Sequence, residues 1–107
     1  MNQDIPLACN MDVFTAAQRE SHIQTTLDLV QALESVHETE NGYEFQFPNE
    51  SELIIKIGEF ISNERLCCPF LKFTLKIVSN REPVSLALTG PAGTQEFLQA
   101  EFEGAFS

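Results

Sequence analysis

Within the stretch SELIIKIGEFISNERLCCPFLKFTLKIV the apolar residues change from a spacing of three and four to a spacing of two, and the change falls at Cys67-Cys68-Pro69. Before it, Leu53, Ile54, Ile57, Phe60 and Ile61 form one stripe of helical period. After it, Leu71, Phe73, Leu75 and Ile77 alternate with Lys72, Thr74 and Lys76, the pattern of a half-buried strand. Proline disfavours helical backbone in the residue before it, so the helix is expected to stop at Leu66 or Cys67. Two cysteines therefore sit at the junction of a helix and a strand.

The rest of the chain arranges itself around that junction. Thr15 with Gln18 has capping-box spacing, and Ile23, Leu27 and Val30 follow at helical intervals, which predicts a helix over residues 15 to 33. Val36, Glu38 and Glu40 alternate with His37 and Thr39, and Tyr43, Phe45 and Phe47 alternate with Glu44 and Gln46. Asn41-Gly42 between them predicts a hairpin with a type I′ turn, which needs positive φ at both central residues. Asn49 with Glu52 repeats the capping-box spacing at the start of the second helix. Gly58 inside that helix weakens it, and a close approach to the sheet would account for it. VSLALT is a second strand after LKFTLKIV, with Val84, Leu86 and Leu88 facing inward, and TQEFLQAEFEGAF closes as a helix with Phe97, Leu98 and Phe102 on one face. The order α-ββ-α-ββ-α predicts an α+β fold: a four-stranded, mainly antiparallel sheet from two hairpins with helices on its apolar face. The other face would carry Glu44, Gln46, Lys72, Thr74, Lys76, Ser85 and Thr89, to be covered by water or by a second copy in a homodimer. The chain reads as a single domain, 1–107, with residues 1–14 an extended N-terminal segment.

Charge narrows the partners. Sixteen acidic residues against six basic ones give a formal charge of −10. Such a chain repels phosphate backbones and anionic lipid surfaces, so neither nucleic acid nor membrane is an expected partner. No apolar run is long enough to span a bilayer, and MNQDIPLACN lacks the basic and apolar regions of a secretory signal. The expected compartment is the cytoplasm. Three cysteines are too few for a disulfide framework, and in a reducing compartment they are expected as free thiols, metal ligands or redox groups.

The cysteine pair admits three readings. Neighbouring Cα atoms lie about 3.8 Å apart, whereas disulfides want roughly 4.4 to 6.8 Å, so a bridge within the pair is disfavoured. As small hydrophobes, Cys67 and Cys68 could fill the corner between Leu66 and Phe70. As thiolates they suit soft ions, and an irregular backbone before Pro69 lets both face one ion. Cys9 is the third candidate ligand: if its segment crosses the end of the second helix, three sulfurs converge as a trigonal soft-ion site. The third reading is thiol redox or transfer chemistry at Cys67 or Cys68. It is weakened by the negative end of the helix and the acidity of the chain, which work against a thiolate of low pKa. The pair alone does not make a four-ligand zinc site.

Other candidates carry less. His22 and His37 are expected at the surface. Glu34, Glu38, Glu40 and Glu44 lack the spacing of an EF-hand and read as a solvated hairpin. TGPAG lacks the lysine and length of a phosphate loop.

Taken together, NGYEFQFP, ERLCCPFLKFTLKI and LALTGPAGTQEFLQAEF resemble a group of small bacterial proteins of unknown function, marked by an ERxCCPF motif and a C-terminal LTGPxG-helix segment. The resemblance covers nearly the whole chain, Cys9 included. Some of that group are encoded near heavy-metal resistance functions. It implies that the three cysteines belong to one feature, and it supplies no catalytic residue. The expected function is a soft-metal or metalloid-binding protein built on Cys9, Cys67 and Cys68. The rivals are a thiol redox protein or transferase and a non-catalytic interaction module with buried cysteines.

Overall fold

The structure is a computed structural model and describes residues 7–106. Its elements run in the expected order: α1 (Ala16–Ala32), β1 (Ser35–Thr39), β2 (Gly42–Phe47), α2 (Ser51–Cys67), β3 (Lys72–Lys76), β4 (Val84–Thr89) and α3 (Thr94–Glu101). The strands form one antiparallel sheet in the order β1-β2-β4-β3. The two hairpins are therefore joined through their inner strands, β2 and β4. The most apolar strands take the centre, and the short, polar β1 and the lysine-bearing β3 take the edges, where charge discourages further pairing.

Register sets the core. Phe45 pairs with Leu86, Tyr43 with Leu88 and Phe47 with Val84, and Phe73 sits opposite Leu88. Leu75, opposite Leu86, and Ile77 were expected inward with Phe73 but are exposed at the edge of the sheet, at 38% and 46%. Helical side chains close on this face: Phe60 of α2 lies 6.5 Å from Phe73 and 6.0 Å from Phe102, ring centre to ring centre. On the reverse face Lys72, Thr74 and Lys76 are exposed, but Ser85 is buried because its central strand lies between Gln46 and Lys76.

Several local expectations are corrected. The first hairpin turns at Glu40-Asn41, and Thr39 pairs with Gly42, so Gly42 belongs to the strand. Gly93 is the only residue with positive φ among those described, which excludes a type I′ turn. Gly42 is needed for another reason: a Cβ there would collide with the backbone carbonyl of Leu88 on β4. Gly58, by contrast, has open space where a Cβ would stand.

Thr15 and Gln18 do form the capping box at the start of α1. At α2 the cap is Glu50, with no side-chain bond. Asn49 instead donates its amide to the carbonyls of Ser79 and Glu82, tying the helix entrance to the β3–β4 loop. The face of α1 is also rotated from expectation: Ile23 and Leu27 are about half exposed, at 46% and 50%, while His22 and Leu29 are buried. Of the N-terminal segment, residues 1–6 lie outside the described residues, and Met11–Val13 form a short 3-10 turn.

Candidate metal centre

The site is built on the last turns of α2. Ile57, Phe60, Glu64 and Cys67 follow at steps of three and four, and all four are buried. Cys68 ends the helix with φ −123° and ψ 73°, outside the helical region, as Pro69 requires. Its N–H still donates to the carbonyl of Glu64, 2.8 Å away, and its own carbonyl accepts from Leu71 at 3.2 Å. The last helical bond and the first bond of the turn thus hold Cys68 from both sides. Cys67 and Cys68 have no exposed surface, and their sulfurs lie 3.8 Å apart, in hydrogen-bond reach but not covalently joined.

The N-terminal segment brings the third sulfur. A helix leaves its last carbonyls without intrahelical donors, and the N–H of Asn10 supplies one, donating to the carbonyl of Cys67 at 2.7 Å. Asn10 also caps the 3-10 turn, its side chain accepting from the N–H of Asp12. Phe14 beyond it is buried against His22. Held at both ends, the segment lays Cys9 over the junction, half-buried. The three cysteines therefore converge, which is the condition a shared three-sulfur site depends on.

Their bonding differs from the expectation of three free thiols. Cys9 and Cys68 are joined as a disulfide, with Cα atoms 4.6 Å apart, and Cys67 is the free thiol. The Cα spacing that disfavours a bridge between neighbours is met by residues 59 apart in sequence. An open approach to the pair is also not what forms: only Cys9 of the three reaches the surface.

Sequence reasoning missed two members of the site. Glu64 is 2% exposed, and its carboxylate touches every sulfur: Oε2 is 3.3 Å from Cys68 Sγ and 3.9 Å from Cys9 Sγ, and Oε1 is 3.6 Å from Cys67 Sγ. Disulfide sulfurs carry no proton, so the first two are contacts, and only Cys67 donates. His22, expected at the surface, is 3% exposed, with Nε2 2.7 Å from Glu64 Oε1. Its ring lies between Phe14 and Phe60, at 5.5 and 5.6 Å, and its Nδ1 has no hydrogen-bond partner among the described residues. His37 is exposed, as expected. The missed signal was positional: Glu64 continues the stripe of Ile57 and Phe60, and His22 lies seven residues before Leu29.

One ligand atom each from Cys9, Glu64, Cys67 and Cys68 lies within 4.8 Å of all the others. Burial, and then the Glu64 carboxylate, push the Cys67 thiol from an ordinary 9.0 up to about 12. Glu101, exposed as a residue, has its carboxyl raised by desolvation and then by Glu64, with His22 pulling it down. Cys67 is therefore protonated in the resting site, as expected of a chain offering no stabilisation to a lone thiolate.

No protein-family model, curated protein or solved structure matches this chain. No described helix is long and apolar enough to cross a membrane.

Proposed function

We propose that the reduced protein captures a soft metal or metalloid ion with Cys9, Cys67 and Cys68. The observation that carries this reading is the company the sulfurs keep. Cysteines that merely fill space are surrounded by hydrocarbon. These three surround a buried carboxylate that is itself held by a buried imidazole, an arrangement costly to bury unless it is matched by a partner. Thiolates prefer soft ions, and the positive charge of an ion would offset both the carboxylate and the ionised sulfurs.

Capture requires the disulfide to open. A dithiol reductant supplies two electrons and two protons, becomes a disulfide itself, and leaves Cys9 and Cys68 as thiols. Binding then displaces the thiol protons. Since Cys67 and Cys68 are sealed and Cys9 lies at the surface, the released N-terminal segment is the natural door. Reduced protein is expected to bind Hg(II), Cd(II), Zn(II) or arsenite, seen as ultraviolet sulfur-to-metal absorption, and the oxidised protein is expected not to. Equal binding by a Cys67→Ser/Cys68→Ser variant would remove the reading.

The disulfide itself favours a second reading, a thiol–disulfide exchanger. Cys9 is the sulfur an external thiolate can reach. Attack there forms a mixed disulfide at Cys9 and releases Cys68 as the leaving thiolate beside Glu64. Cys67, held as a thiol, is a poor nucleophile for the next step, which places this reading second. Catalysed exchange with a small disulfide, unaffected by added ions, would move it first.

A further inference from the structure

The three-sulfur reading leaves Glu64 and His22 without a task. We propose that Glu64 is a fourth ligand, binding through Oε2, that His22 positions it, and that the site takes a four-coordinate divalent cation of the zinc, cadmium and cobalt class. This rests on the metal-binding reading above and says which ion the site is shaped for.

Distances carry the inference. A tetrahedral centre with metal–sulfur bonds of about 2.3 Å has sulfurs about 3.8 Å apart, and a slightly shorter carboxylate bond brings oxygen and sulfur to about 3.5 Å. Cys67 and Cys68 already stand 3.8 Å apart. Glu64 Oε2 stands 3.3 Å from Cys68 Sγ and 3.9 Å from Cys9 Sγ. Cys9 and Cys68, bonded to each other, must separate, and reduction frees them to do so.

The two carboxylate oxygens are also divided between two tasks. Oε1 is held by His22 Nε2 at 2.7 Å and accepts from the Cys67 thiol at 3.6 Å, whereas Oε2 faces Cys68 and Cys9. A carboxylate that ligates through one oxygen and is hydrogen-bonded through the other is an oriented ligand, and such partners tune metal affinity. With both residues almost fully buried, neither has a solvent role to explain its presence. Three thiolates and one carboxylate around a divalent ion carry the same formal charge as a four-thiolate zinc site, so the acidity of the set is no obstacle.

Cobalt(II) is the probe for coordination and arsenite the control, because arsenite needs three thiols and no carboxylate. Reduced wild-type protein loaded with Co(II) is expected to show the visible bands of four-coordinate cobalt. X-ray absorption fine structure should give three sulfurs and one light atom. Glu64→Gln is expected to weaken Co(II) and Zn(II) binding and to leave arsenite binding unchanged. His22→Phe should weaken Co(II) binding by about 10- to 100-fold, and His22→Gln, which keeps a donor, should recover part of it. A cobalt shell of sulfur alone, unchanged Co(II) affinity in Glu64→Gln, or parallel loss of cobalt and arsenite would each overturn the proposal. If Glu64→Gln does not fold, the fine structure of the wild-type complex decides. If the wild type binds neither probe, or Cys67→Ser/Cys68→Ser binds both, the underlying metal reading fails instead.

Discussion

Burial and the Glu64 carboxylate act on Cys67 in the same direction, lifting its thiol to about 12. The consequence for reactivity is direct, since the thiolate is the nucleophile. Oxidised native protein is expected to resist alkylation at pH 8, to yield one reactive thiol on denaturation, and three once reductant is added. A thiol raised above its unfolded value favours the folded state below that value. Its contribution is thus complete below about pH 9 and is lost as pH climbs towards 12. Urea midpoints at pH 8 and pH 10 should fall further for the wild type than for Cys67→Ala. An equal fall in both would mean that the Cys67 thiol has no part in it.

Two glycines show how position within an element decides the sign of a substitution. Gly42 lies on β2 where the backbone of β4 leaves no room for a side chain. Gly42→Ala is expected to destabilise by about 1–3 kcal/mol through overpacking. Gly58 lies on the outer side of α2 with nothing near its missing Cβ. Gly58→Ala is expected to stabilise by about 1 kcal/mol, the helical preference of alanine over glycine. Chemical denaturation of the two variants checks both signs in one series. At the other end of α2, Pro69 sets where the helix stops, and that stop puts Cys68 beside Cys67 on a backbone that is no longer helical.

Across the whole molecule, the Cys9–Cys68 bond closes a loop spanning 59 residues, from the N-terminal segment through α1, the first hairpin and α2. Chain-entropy reasoning assigns such a loop about 4 kcal/mol of stability. Reduction is therefore expected to lower the melting temperature. An ion bound by the reduced protein should restore part of it, by about 2.7 kcal/mol at a hundredfold excess over Kd. Thermal scans of oxidised, reduced and reduced ion-loaded protein should rank in that sense, and the ion should leave the oxidised form unmoved. An equal shift of the oxidised form would place the ion elsewhere.

Periodicity, capping residues and one proline were enough for the element order, the antiparallel pairing within each hairpin and the helix stop at the cysteines, because these depend on neighbours a few residues apart. The burial of Glu64 and His22 was legible only in their helical spacing from Phe60 and Leu29, and residue type pointed the other way. A charged side chain is ordinarily a surface one. The joining of β2 to β4, the exposure of Ile23 and Leu27, and the gathering of Cys9, Glu64, Cys67 and His22 at one point are long-range outcomes. They follow from which faces of the helices meet and from a carbonyl at the end of α2 that Asn10 satisfies, and no local pattern in the chain encodes that meeting.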